Sequence, residues 1–257
     1  MRLTPVSAIF LAASLVFMLG PLALVVLFSF GQSALIGFPM GGLSLDWYAK
    51  LAGNPSFWNA FKTSLIAALA SAVLATILGT LCAFGLRRLK RSEAAATVTF
   101  LSMPVLLPPL VVAIAIVVLI VRGLGLSLGL PVVILGHALI SQPFVLLILL
   151  ARLQNFDFDT VESALDLGAT QFQAFRDIML PQIQGAVIGA ALIAASISLD
   201  DFIIASFTIG AGNTLSTFVW GMLRTTLDPS INAIATIILL LTTGTAALAL
   251  KLTRYRG

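Results

Sequence analysis

"RLQNFDFDTVESALDLGATQFQAFRDIMLPQ", residues 152–182, separates two long apolar stretches and does not read as a simple loop. Asp159 or Thr160 can cap a helix whose first turn carries Glu162, an arrangement the helix dipole favours. Val161, Ala164, Leu165 and Leu167 with Gly168 fall at helical spacing and form a small apolar face. Gly168 then ends the helix, Ala169 and Thr170 turn, and Gln171 starts a second short helix. Pro181 marks the start of the next apolar stretch. Two short helices lying on a membrane face, with small residues outward, form a docking surface for a soluble partner. An ordinary surface hairpin is the plainer alternative.

The apolar stretches on either side, residues 131–151 and 183–207, belong to a set of six. The others are residues 8–30, 60–86, 98–121 and 231–250. Each reaches the roughly 20 residues a bilayer-spanning helix needs. Lipid offers the backbone no hydrogen-bond partners, so such stretches must be helical. The first begins near Arg2, as a secretory signal would. Its apolar run is longer than a signal core and no small-x-small cleavage site follows Phe30, so it reads as a retained helix.

Composition demands the same solvent. Of the 257 residues, 60% are hydrophobic and only 9% charged, against about 25% charged in a soluble domain. Too little charge remains to cover a soluble fold of this size. The net charge of +4 comes from short basic runs between apolar stretches, which set orientation. No basic face with interleaved aromatics points to nucleic acid.

With the N-terminus inside, the inner segments hold Arg2, Arg87, Arg88, Lys90, Arg91, Arg152, Arg176, Lys251, Arg254 and Arg256. The outer ones hold Lys50, Lys62, Arg122 and Arg224. Ten against four places both termini in the cytoplasm. The expectation is one all-α integral membrane domain over residues 1–257, with 152–181 as its cytoplasmic segment. Outside, "LDWYAKL" (residues 45–51) reads as a short interfacial helix with Trp47 and Tyr48 as headgroup-level anchors. Prolines in "MPVLLPPLV" (103–111) and "SQPF" (141–144) are expected to interrupt the third and fourth spans.

Residues 162–181 resemble the EAA motif of binding-protein-dependent ABC importer permeases: E-A-A, three residues, G, nine residues, I-x-L-P. Here stand Glu162-Ser163-Ala164, then Gly168, then Ile178-Met179-Leu180-Pro181 at those intervals. Ser163 in the second position, where Ala is usual, is the only departure, one small residue for another. The resemblance implies a type I importer (MetI-like) transmembrane domain. In it the helix around Glu162, Ser163, Ala164, Gly168 and Ala169 couples to a separate ATPase subunit. It also implies a second permease forming a heterodimer, an ATPase dimer that binds the ATP and Mg, and an extracytoplasmic binding protein. Membrane lipid surrounds the bundle, and this chain binds no cofactor and no metal.

Beyond the motif, residues 57–250 resemble the spermidine/putrescine branch of these permeases, closest to its second, shorter subunit. Ser198-Leu199-Asp200-Asp201 and Asp228-Pro229-Ser230-Ile231-Asn232-Ala233 carry that likeness. Branches that carry aminoethylphosphonate or other small amines look much alike, so a polyamine cargo is the first expectation and another small amine the second.

Asp200 and Asp201 lie in the fifth span, where a carboxylate costs about 2.5–3.5 kcal/mol on insertion scales. Either they line the translocation path and attract a cation, or they cap a broken helix or bond the partner. His137, Ser141 and Gln142 gather within about a turn and a half of the fourth span. Asn232 and Thr236 share a face of the sixth. Trp220 and Arg224 lie on the outer side, where an aromatic ring can cradle an organic cation or anchor the interface. Asp200, Asp201, Gln142, Trp220 and Asn232 are thus the candidate path residues.

The chain has no G-x-x-x-x-G-K-S/T phosphate loop and no nucleophile–base set, so a catalytic role is not expected. The lone Cys82 and lone His137 build no metal site by themselves. A gradient-driven transporter remains the distant alternative, although the inverted repeats typical of that class are not visible.

Overall fold

A computed structural model describes residues 5–33, 37–225 and 228–254, with side chains described from residue 8 to residue 252. Arg2, Arg256 and the Arg254 side chain, counted above for orientation, lie outside that description. Among the described residues every regular element is helical, apart from an isolated bridge between Gly31 and Leu43.

In chain order the helices are α1 (Pro5–Phe28), α2 (Asp46–Ala52), α3 (Pro55–Leu86), α4 (Arg91–Leu106) and α5 (Pro109–Val117). A wider π-helical turn, Val118–Gly123, continues α5. Then follow α6 (Leu130–Leu153), α7 (Asp159–Asp166), α8 (Gln171–Ala174), α9 (Leu180–Asp200), α10 (Ile203–Thr208), α11 (Leu215–Thr225) and α12 (Ser230–Arg254). Among the described residues five helices are long and apolar enough to cross a membrane, and a sixth crossing needs the bent pair α4–α5.

That pair carries the interruption expected at the prolines of the third span. Residues 98–121 are not one rod, because α4 and α5 meet at 95°. Proline restricts the residue before it to extended backbone. Leu107 (φ −83, ψ 149) and Pro108 (φ −55, ψ 130) both comply, and Pro109 opens the new helix. At Pro143 the opposite holds. The expected interruption is absent, and α6 runs from Leu130 to Leu153 through a fully buried Pro143. Neighbouring protein, not lipid, surrounds the proline there, the setting in which a spanning helix tolerates one.

The chain divides into two compact units, residues 1–59 with 218–240, and residues 60–217 with 241–257. In the first, Asn54 Oδ1 accepts the backbone N–H groups of Ser56 and Phe57 at 2.9 and 3.3 Å. It caps α3 ahead of Pro55, the helix position where a missing N–H costs nothing. The short helix expected at residues 45–51 is α2. Its aromatics do more than mark the interface: Trp47 Nε1 donates to Gly31 O at 2.6 Å, and the Tyr48 and Ser29 hydroxyls meet at 2.8 Å. Lys50 Nζ pairs with Asp228 Oδ2 at 2.5 Å.

In the second unit α6 lies along α9. Gly185, Gly189, Ala190 and Ala194 are buried on α9, and Val145, Leu146 and Leu149 on α6. Small residues let membrane helices approach closely and gain dispersion contacts that lipid cannot replace. Gly79 of α3 is held to the same surface, since a Cβ there would stand 2.7 Å from Val145 Cγ1. The Ser196 and Thr245 hydroxyls bond α9 to α12 at 2.5 Å. Ser64 Oγ accepts the Leu215 N–H at 2.7 Å, fixing the start of α11 on α3.

Candidate functional site

The 152–182 segment runs from the end of α6 into α9 and closes on itself. Arg152 donates to Gln182 O at 3.0 Å, tying its two ends together. The expected caps at Asp159 or Thr160 are not made. Asp157 does this work, accepting the Asp159 N–H at 3.1 Å and the Thr160 hydroxyl at 3.0 Å. Two acidic residues, Asp159 and Glu162, occupy the first turn of α7, where its dipole favours them.

Gly168 ends the turn with φ +92, a left-handed conformation, and the space a Cβ would enter there is open. Thr170 then caps α8: its hydroxyl accepts the Gln173 N–H at 3.2 Å and Gln173 Oε1 accepts the Thr170 N–H at 2.8 Å. The second helix is not short, however. It passes through a π-helical turn, Phe175–Met179, into α9, so that Gln171–Asp200 is one 30-residue helix. Pro181 has no N–H to give, and the wider turn before it removes the need for an α-helical bond at that point.

Glu162, Ser163 and Gly168 are exposed, whereas Ala164 and Ala169 are half-buried. Leu167 is 90% exposed and Phe172 67%, so the outer face of the segment is apolar and uncovered. Beneath it the C-terminal end of α3 holds both limbs. Arg87 stacks on Phe158 with Cζ 3.0 Å from the ring centroid, and Phe84 meets Phe175 edge to face at 5.6 Å. Burial lowers the Arg87 pKa, an effect that the negative charge of Glu162 partly offsets. A cavity of about 550 Å³ remains between α3 and the segment. Sequence reading counted Arg87 only toward orientation and missed Phe84, Phe158 and Phe175. Nothing in their spacing joins the end of α3 to residues 71 and 91 positions later.

The acidic pair is split. Asp200 is the last residue of α9 and is exposed, while Asp201 has turned to extended backbone (φ −67, ψ 117). The fifth span therefore stops at Asp200 rather than continuing to residue 207. Asp201 Oδ1 accepts the N–H groups of Ile204 and Ala205 at 2.8 and 3.3 Å, capping α10. The same oxygen lies 3.5 Å from His137 Nε2, whose ring bonds Ser198 Oγ through Nδ1 at 2.6 Å. His137 thus joins α6 to the break after α9, and Ser198 is a partner that sequence reading did not supply.

Gln142 departs from the expected trio. It lines an apolar groove of about 410 Å³ beside the α4–α5 bend, with Met103, Pro104 and Leu139. Its buried Nε2 and the buried Ser141 Oγ form no hydrogen bond among the described residues. In the other unit Asn232 is buried with Nδ2 similarly unsatisfied, and its carbonyl accepts the Thr236 hydroxyl at 2.8 Å. Trp220 is 45% exposed, with Arg224 Cζ 5.5 Å from its ring centroid.

Comparison with known proteins places this architecture. The chain is 32% identical over 243 residues to the putrescine transport system permease protein PotI of Escherichia coli (strain K12), covering 92% of this chain and 86% of that one. It is 32% identical over 233 residues to the spermidine/putrescine transport system permease protein PotC of the same strain, covering 90% and 88%. A chain from the crystal structure of a bacterial ABC transporter that imports the acidic polysaccharide alginate superposes with a TM-score of 0.72. It has 18% identity and covers 95% of this chain and 93% of that one; at that identity the likeness establishes the fold. Residues 75–254 match the family of binding-protein-dependent transport system inner membrane components, and with a span of that length this chain belongs to that family as a membrane-spanning permease component.

Proposed function

We propose that this chain is one of two permease subunits of an ATP-driven importer, forming half of the path for a polyamine such as putrescine or spermidine. The observation that carries the transport reading is the 152–182 segment, which is tied at its two ends and leaves Leu167 and Phe172 bare. Such a surface fits the cleft of a soluble subunit. The cargo rests on the kinship with PotI and PotC. In this reading Glu162, Ser163, Ala164, Gly168 and Ala169 contact the ATPase, which holds ATP and Mg. The segment and both termini face the cytoplasm, as the basic residues favour. An extracytoplasmic binding protein delivers cargo to the opposite face.

Asp200 is the carboxylate open to a cation, and Asp201 holds the end of the span. Gln142 in the same unit as Asp200, and Asn232 and Trp220 in the other unit, are the further candidate path residues, and Gln142 and Asn232 carry buried amides with donors to spare.

The test is reconstitution. The chain, co-purified with its partners in mild detergent, is placed in proteoliposomes with binding protein and ATP, and uptake of labelled putrescine and spermidine is measured. ATP-dependent uptake supports the reading. A complex with ATPase and second permease that ignores both polyamines but moves another small amine or an aminophosphonate overturns the cargo alone. Purification without an ATPase overturns the importer.

A further inference from the structure

The cavity beneath the 152–182 segment has two walls of different kinds. Leu81, Phe84 and Gly85 of α3, with Leu165 and Met179 opposite, form an apolar lining. Arg87 and Arg88 stand at its rim. Neither guanidinium donates a hydrogen bond among the described residues. Arg87 is stacked face-on against Phe158, and stacking occupies the face of a guanidinium while leaving its in-plane N–H donors available. These arginines come directly after Leu86, the last residue of the spanning helix α3. The cavity therefore combines the apolar end of a spanning helix with the basic pair that follows it.

We propose that this cavity binds an anionic phospholipid, its phosphate held by Arg87 and Arg88 and the start of an acyl chain lying along Leu81 and Phe84. Basic pockets between membrane helices recognise acidic headgroups in this manner. A zwitterionic lipid offers the same chains but no net charge, and free inorganic phosphate would leave the apolar wall wet. The site lies behind the surface proposed to meet the ATPase, so an occupied cavity stiffens that surface from the membrane side.

The experiment is native mass spectrometry of the full chain in the complex in which it purifies, titrated with phosphatidylglycerol or phosphatidylcholine, with and without excess inorganic phosphate. Wild type is expected to retain one phosphatidylglycerol in preference to phosphatidylcholine. Arg88→Gln is expected to weaken it about fivefold, and Arg87→Gln by a similar factor. Gly85→Leu fills open space, since no atom lies within 4 Å of a Cβ at that position. It is expected to expel the lipid with both arginines still present. Lys90→Gln with Arg91→Gln removes twice the charge of either single variant, outside the cavity lining, and is expected to leave retention unchanged. Equal retention of the two lipids overturns the proposal. So does equal loss in the Lys90/Arg91 variant, which would mean a diffuse surface charge. Displacement by inorganic phosphate would assign the arginines to a free anion, and unchanged retention in Gly85→Leu would place the lipid elsewhere.

Discussion

The guanidinium of Arg87 lies over the Phe158 ring, 3.0 Å from its centroid. The first charged side chain beyond α3 is thereby fixed to the residue that leads into α7. Phe84, three residues earlier, meets Phe175 on the other limb of the segment. Any displacement of the segment is therefore delivered to α3 as well as to α6 and α9, the two helices it connects in sequence.

Loosening that attachment should separate ATP hydrolysis from transport. Phe158→Leu removes a cation–π contact of about 0.5–1 kcal/mol and keeps an apolar side chain. The expected result is a complex that assembles and hydrolyses ATP while uptake per ATP falls severalfold. Paired uptake and hydrolysis measurements in proteoliposomes check this; an unchanged ratio would show that α3 takes no part in the motion.

Gly168 presents a second, independent weakness. Its φ of +92 costs an L-residue roughly 1–2 kcal/mol, and the open space above it is where a partner's backbone would approach. Gly168→Asp should abolish uptake while the chain still inserts and pairs with a second permease. Co-purification of the subunits alongside a transport assay gives the answer.

Asp200 and Asp201 should behave differently in spite of being neighbours. Asp201→Asn keeps the oxygen that caps α10, whereas Asp201→Ala loses a cap of about 1 kcal/mol and deprives His137 of its nearby carboxylate. Asp201→Ala is expected to lower the yield and melting temperature of the complex, with Asp201→Asn close to wild type. Asp200→Asn should leave assembly intact and depress uptake of a cation.

The Lys50–Asp228 pair sets an acid limit on the first unit. Burial alone would raise the Asp228 pKa, but hydrogen bonds from Lys50 and Ser230 outweigh it and hold the carboxyl below its ordinary value of 3.8. A depressed folded-state pKa contributes stability above the unfolded value, and that contribution disappears as pH falls through the folded one. Melting temperature should therefore be insensitive to this pair near neutrality and decline below about pH 4. Lys50→Gln should flatten that decline, as differential scanning at pH 3 to 7 would reveal.

Packing at Gly79 allows no growth. A Cβ there would stand 2.7 Å from Val145 Cγ1 and 3.2 Å from Leu146 N, a backbone atom. Gly79→Leu should cost about 1–3 kcal/mol and reduce the folded fraction seen by size-exclusion chromatography.

The positions of the apolar stretches, the short helix α2 and the polar segment at 152–182 were legible because they depend on composition and local periodicity. A run of some 20 apolar residues has one acceptable backbone in lipid, whatever its neighbours do. The turn at Gly168 was legible for a similar local reason, since glycine alone enters that region without strain. The family motif lay in the same segment, where its spacing is a property of one helix and one turn.

Proline was legible only as a possibility. Pro108–Pro109 bends the chain by 95°, whereas α6 runs unbroken through Pro143. The tandem pair holds two successive residues extended, whereas Pro143 stands alone and fully buried within α6. Tertiary packing decided the acidic pair. Sequence placed Asp200 and Asp201 in one helix, but the break between them arises because Asp201 can satisfy the first N–H groups of α10 beside His137 of α6. Arg87 on Phe158 and His137 on Ser198 join residues 71 and 61 positions apart. Such pairings follow from the close approach of α3, α6 and α9 through their glycines and alanines, and no local pattern encodes which side chains that approach brings together.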